Sequence, residues 1–305
     1  MKVFVTGVKG QLGYDVMDQV LQRGYSCVGS DLASDIDNAP ENARLTYVPL
    51  DISDAEKVHE TIEREHPDVI VHCAAWTAVD AAEKAENMDK VYAVNVEGTR
   101  YVAEAAKTVD AKLVFISTDY VFDGEGTSPW DPDEEDYAPL NRYGASKREG
   151  ERIVEQTLEK YFLVRAAWLF GKNGNNFVRT MLRIAQGREF VTVVDDQIGT
   201  PTYTKDLARL LVDMIETDKY GRYHATNSEE YPGAFISWAD FTEETYRIAH
   251  VTTAVRRVTT EEYGLNLAKR PFNSRLDKSK LERAGFKPLP DWKDALRRYL
   301  KEIGY

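Results

Sequence analysis

Near its start the chain reads as a short β-rich run, KVFVT, followed by a change of period. Leu12, Val16, Val20 and Leu21 then recur at helical spacing through QLGYDVMDQVLQRG, until Gly24 ends the pattern. YSCVGSD and LTYVPLD read as the next strands, and a helix is expected from about Asp54 to Glu65. DVIVHCAA is almost wholly apolar, as a strand covered on both sheet faces should be. A long helical stretch from Asn87 to Lys107 precedes KLVFIST, and a helix carrying Tyr143 precedes the strand YFLVRAA. Strand and helix alternating in this way predict an α/β chain with a doubly wound parallel sheet.

After about Arg165 the rhythm changes. Helical stretches at Phe177–Gln186, Lys205–Thr217, Ser237–Ala249 and Asp291–Ile303 are separated by short strands, prolines and glycines. This half reads as a smaller C-terminal α/β lobe facing the substrate, partly interleaved with the sheet, so the expected division is 1–165 and 166–305. The acidic run WDPDEEDYAP reads as a solvated loop.

Composition narrows the functional classes. A chain of 305 residues, 43% hydrophobic and 30% charged, can bury a full core without staples. No apolar run approaches a membrane span, so no membrane partner is expected. The apolar run in MKVFVTGVKG is too short for a signal peptide, which points to the cytoplasm. A net charge of −12 with no basic block argues against nucleic acid. Cys27 and Cys73 read as buried free thiols, and the five histidines form no metal-ligand spacing, so no metal residue is assigned.

Gly7, Gly10 and Gly13 follow the first strand and open the first helix. Glycines there let the backbone turn tightly against a pyrophosphate seated on a helix N-terminus, which makes the sheet Rossmann-like and residues 1–165 an NAD(P)-binding domain. Asp31 ends the second strand, where a carboxylate accepts hydrogen bonds from the adenosine ribose and repels a 2′-phosphate, tilting the cofactor from NADPH toward NADH. Asp51 ends the third strand, where it contacts the adenine edge or simply caps the following helix.

Tyr143 and Lys147 lie one helical turn apart in YGASK, on a shared face. An ammonium beside a phenol favours the phenolate, and such a tyrosine can exchange a proton with a carbonyl. The spacing arises about once by chance in a chain of this composition, so its surroundings must decide.

Those surroundings form a set. TGVKGQLG, HCAAWTAVD, AVNVEGT, VFISTDYVFDG and YGASK resemble the extended short-chain dehydrogenase/reductases. PLNRYGASKREGE, RAAWLFG, GNNFVRTML, DDQIGTPTY and RPFNSRLD look, more narrowly, like the dTDP-4-dehydrorhamnose reductases, nearly from end to end. The resemblance implies reduction by NADPH or NADH of the C4 ketone of a dTDP-linked keto-deoxysugar, giving dTDP-L-rhamnose for cell-surface polysaccharide. It makes Tyr143 the proton donor and Thr118 the hydroxyl that bonds the substrate oxygen. Lys147 would lower the tyrosine pKa and hold the nicotinamide ribose.

By the same resemblance Gln11, Leu12, Asp51, Ile52, Ala74, Ala75, Thr77 and Tyr120 lie on the cofactor. Asp119 and Trp168 touch the substrate, and Asn95 supports the lysine. Arg270 and Arg275 reach the substrate diphosphate or merely pair at the surface. Some members use magnesium at a carboxylate-lined dimer contact, and Asp15 stands where such an acid would lie, leaving room for Mg2+ and a homodimer. Two alternatives stay open: a reductase or epimerase of another nucleotide sugar, or a non-catalytic regulatory subunit like that of methionine adenosyltransferase.

Overall fold

The structure, a computed structural model, describes residues 1–36 and 40–305. Its centre is a seven-stranded sheet in which every neighbouring pair is parallel. The strands are β1 (Lys2–Thr6), β2 (Ser26–Asp31), β3 (Leu45–Pro49), β4 (Val69–His72), β5 (Lys112–Thr118), β6 (Tyr161–Ala166) and β7 (Gly221–His224). Their spatial order is β7-β6-β5-β4-β1-β2-β3. The chain winds outward from β1 to β3, then returns to β4 on the other side of β1. The crevice at the carboxyl ends of β1 and β4 is therefore the topological switch point, where ligands of such sheets bind.

Both sheet faces are covered, which is why the central strands are apolar on successive residues. On one face α1 (Gln11–Gln22) packs beside α6 (Thr204–Ile215) over Val3, Val5, Val69 and Val71. On the other, α2 (Ala55–Glu65), α3 (Gly98–Thr108) and α4 (Arg142–Thr157) cover Phe4, Ile70, Leu113 and Phe115. A further apolar cluster joins α5 (Phe177–Ala185), α7 (Trp238–Ile248) and α8 (Trp292–Glu302) around Phe170, Phe241 and Tyr299. Both α6 and β7 come from the second half of the chain but pack on the sheet of the first.

Three expectations change. The helix expected from Asn87 to Lys107 is interrupted: a wide π turn at Ala93–Glu97 separates Met88–Tyr92 from α3. Such π turns recur at functional sites, and Asn95 sits inside this one. Asp51 does not cap α2; Asp54 does, accepting from Lys57 N, while Asp51 accepts from Ser53. The acidic run is not a merely solvated loop. Its carboxylates are mostly exposed, but Trp130 stacks on Phe122 with ring centroids 4.5 Å apart. Pro132 O and Tyr137 OH both accept from the buried Arg165 guanidinium.

Candidate active site

A cavity of about 770 Å³ opens at the carboxyl ends of the strands. Its floor is the turn after β1. Gly7 has φ +71°, a conformation other residues rarely adopt, and a Cβ there would come within 2.8 Å of Ala74 N. A Cβ on Gly13 would sit 2.1 Å from Gly7 O, so α1 begins closer to the turn than any side chain allows. Thr6 ties this turn to the loop after β4: its Oγ1 accepts from Cys73 N and Ala74 N, and lies 2.8 Å from His72 Nδ1. The bare backbone cradle at the start of α1 is what a dinucleotide diphosphate requires, so the residues present fit that group.

Most residues assigned from the sequence line this one cavity; Asn95, Arg275 and Asp15 do not. Gly7, Gly10, Gln11, Leu12, Gly13, Asp31, Asp51 and Ile52 form one end, and Ala74, Ala75 and Thr77 the middle. Thr118, Asp119, Tyr120, Tyr143, Lys147 and Trp168 gather toward the other. Asp31 is held in place: Oδ2 accepts from Lys9 N at 2.9 Å and Oδ1 from Leu32 N at 2.8 Å.

Tyr143 lies in the first turn of α4, which Asn141 caps by accepting from Gly144 N at 2.8 Å. Gly144 has no room for a side chain, because a Cβ would meet Tyr120 O at 2.2 Å, and this close approach seats Tyr143 against the turn after β5. Thr118 Oγ1 accepts from Tyr120 N and donates to Asp119 Oδ1 at 3.0 Å, so it closes its turn while lining the cavity. Asp119 is almost wholly buried, and among the described residues its Oδ2 has no hydrogen-bond partner. Burial pushes its carboxyl up to about 6, against the opposing pull of Ser274 and Thr118.

The electrostatics of the tyrosine differ from the expected pattern. Burial pushes the Tyr143 phenol above its ordinary value, the nearby Asp119 and Tyr120 push it further, and a hydrogen bond to Thr118 pulls it back. Lys147 is not among the groups that act on it. The reason is where the ammonium lies: Nζ sits 4.1 Å above the Phe115 ring and acts on His72 and Cys73 instead. Burial brings Lys147 itself down to about 8, opposed by Glu151 and Cys73. With the ammonium placed there, burial rather than Lys147 dominates the phenol.

Other residues are redistributed. Asn95 makes no hydrogen bond to Lys147. It accepts from Trp76 N and donates to Trp76 O and Ser146 Oγ, bracing the residue beside the lysine. Arg270 lines the cavity, paired with Asp80 at 2.6 Å and donating to Tyr120 OH. Arg275 lies elsewhere, donating to Asn273 Oδ1. Asp15 is buried between α1 and α6, where Thr204 Oγ1 donates to it, so it is not an exposed carboxylate at a subunit contact. Among the described residues no group of three or more His, Cys, Asp or Glu is placed to hold a metal ion. Cys73, expected to be buried, is only half-buried and lines the cavity; burial pushes its thiol up to about 12.

Sequence reasoning missed Asn176, Phe177 and Trp238, which line the cavity from the second half of the chain. Asn176 caps α5 and donates to Gln11 Oε1, joining the glycine turn to the smaller lobe. GNNFVRTML had marked the resemblance without suggesting this contact.

The chain matches the family model described as the RmlD substrate binding domain over residues 1–304. It is 38% identical over 301 residues to the spore coat polysaccharide biosynthesis protein SpsK of Bacillus subtilis (strain 168), covering 99% of this chain and 97% of that one. It is 37% identical to the dTDP-4-dehydrorhamnose reductase of Aggregatibacter actinomycetemcomitans, covering 97% of each. The crystal structure of dTDP-4-dehydrorhamnose reductase from Bacillus anthracis str. Ames in complex with NADP is similar at TM-score 0.87 and 38% identity, covering 99% of both chains. With a glycine-floored dinucleotide cradle and a Thr118, Tyr143 and Lys147 cluster in one cavity, the chain belongs to the RmlD substrate-binding-domain family, that of the dTDP-4-dehydrorhamnose reductases, and is an NAD(P)H-dependent reductase.

Proposed function

We propose that the substrate is dTDP-4-dehydro-L-rhamnose and the product dTDP-L-rhamnose, made in the cytoplasm for cell-surface polysaccharide. Residues 1–165 hold the dinucleotide, and residues 166–305 supply most of the sugar end. The observation that carries the reading is that Thr118, Tyr143 and Lys147 share a cavity with the bare turn at Gly7, Gly10 and Gly13.

When bound, the dinucleotide supplies a hydride to the C4 carbonyl carbon. The chain's own residues manage the oxygen. Tyr143 donates the phenolic proton to it, and Thr118 Oγ1 steadies it by a hydrogen bond as negative charge develops. A phenol held above its ordinary value stays protonated throughout the working range, which suits a donor in the direction of reduction. Solvent then returns the proton to Tyr143. Lys147, near 8, is largely cationic at neutral pH and holds the nicotinamide ribose by hydrogen bonding. Asp119 and Trp168 bind the sugar.

Either reduced dinucleotide serves. The fixed Asp31 carboxylate disfavours a 2′-phosphate, and the Lys9 side chain, which also lines the cavity, favours one. The test is a panel of dTDP-, UDP- and GDP-linked 4-keto sugars with NADPH and with NADH, followed by loss of the reduced-nicotinamide absorbance. The reading expects fastest turnover with dTDP-4-dehydro-L-rhamnose. Preference for a UDP or GDP sugar would move the activity to another nucleotide sugar.

A further inference from the structure

Trp168 has φ +53°, in the left-handed region that a bulky side chain occupies only when its surroundings force it there. Three contacts do so. Its carbonyl accepts from Thr202 N at 3.1 Å. Gly199 offers no side chain: a Cβ there would approach the indole at Cε2 to 3.2 Å. The third contact is a ring stack. The Trp238 ring stacks on the Trp168 ring with centroids 3.7 Å apart and planes 17° from parallel.

Trp238 is itself firmly placed. It is the first residue of α7, behind a capping box in which Ser237 and Asp240 each satisfy the other's backbone N–H. Ser237 Oγ also donates to Asp195, and Phe177 packs against the indole with centroids 4.4 Å apart. One side of Trp238 packs at the edge of the lobe's core of Phe170, Phe241, Trp292 and Tyr299, but the residue itself is not buried within it. Trp168, Trp238 and Phe177 all line the cavity, and both indoles are only half-buried.

We propose that Trp238 is a positioning and specificity-determining residue: it holds Trp168 in its left-handed conformation, and the two indoles with Phe177 form an aromatic wall for the apolar face of the deoxysugar. The inference rests on the proposed substrate. Aromatic faces receive a C–H-rich surface well and leave a hydroxyl without a partner, so such a wall favours a deoxygenated ring. Trp238 itself packs on Trp168 and Phe177, so its loss should act on sugar binding and leave dinucleotide binding alone.

The test uses the full chain with Trp238→Leu and Trp238→Phe. Trp238→Leu should raise KM for dTDP-4-dehydro-L-rhamnose, and Kd for dTDP-L-rhamnose, by about tenfold, while kcat changes by less than about threefold. Kd for NADPH should not move. Trp238→Phe, which keeps a ring for Trp168 to stack on, should recover most of the affinity. Circular dichroism reads the pair directly: the exciton couplet of two stacked indoles should vanish in Trp238→Leu and in Trp168→Phe alike. In the double variant Trp168→Phe/Trp238→Leu the two KM increases should not add. A lower Tm with unchanged KM would make Trp238 merely structural and overturn the inference, as would a wild-type chain lacking the couplet. No turnover of the sugar by the wild type would instead overturn the proposed function, with the couplet still reporting on the stack.

Discussion

Replacing Arg165 by Met empties the centre of a buried ionic cluster behind the site. Arg165 and Glu151 are both 0% exposed, joined by two hydrogen bonds of 2.8 and 2.9 Å. The guanidinium also donates to Pro132 O at 3.1 Å and Tyr137 OH at 2.8 Å, and lies 3.3 Å from His224 Nε2. In Arg165→Met the Glu151 carboxylate keeps Arg148, at 3.1 Å, and the more distant Lys147, and two oxygens of the acidic loop lose their donor. Removing one partner of a buried pair costs about 3–5 kcal/mol, and the surviving Arg148 contact places this case near about 3 kcal/mol. That is a large share of the roughly 5–15 kcal/mol by which a domain is stable. Urea unfolding followed by far-UV circular dichroism gives the difference from the midpoints at constant m. Glu151→Leu/Arg165→Met should regain most of the loss, because no charge is then left buried alone. A loss below about 1 kcal/mol, the range of an exposed pair, would refute the claim that this cluster anchors α4 and the loop from Trp130 to Pro139.

Other outcomes follow from the same geometry. Gly13→Ala should abolish measurable NADPH binding in a fluorescence titration, since its methyl would meet Gly7 O; retained affinity would contradict the cradle. Asp119 is held near 6 in the folded chain, above its ordinary value, so its favourable share of stability is complete at acid pH and is lost as pH rises through 6. Asp119→Asn should therefore raise Tm over wild type at pH 8 and lose that advantage at pH 4, and a pH-independent difference would count against it. The same variant removes a negative charge that pushes the Tyr143 phenol up, so the alkaline limb of kcat should move to lower pH.

Much of this was legible in the chain because it is local. The glycine turn, Asp31 and Thr118 each stand at the end of a strand that the apolar pattern marks, and the parallel sheet puts strand ends on one rim. Tyr143 and Lys147 were legible as neighbours on a helix. Their electrostatics were not, because these depend on Asp119 and Tyr120 from another turn and on the Phe115 ring beneath the ammonium. Trp238 carries no local signature; it reaches the cavity only because the Ile236–Ser237 strand pairs with Ile198–Gly199 and so brings α7 beside Trp168. The acidic run concealed its anchoring for a similar reason. Charge density predicts solvation, but Trp130, Pro132 and Tyr137 are fixed by Phe122 and Arg165, partners distant in sequence.

The central claim is that the Tyr143 hydroxyl delivers the proton while the rest of the chain holds the reactants. Turnover of dTDP-4-dehydro-L-rhamnose by Tyr143→Phe, with NADPH affinity measured in parallel, tests it most directly. The account predicts a fall in kcat of at least about a hundredfold with the NADPH Kd unchanged; turnover close to wild type would contradict it.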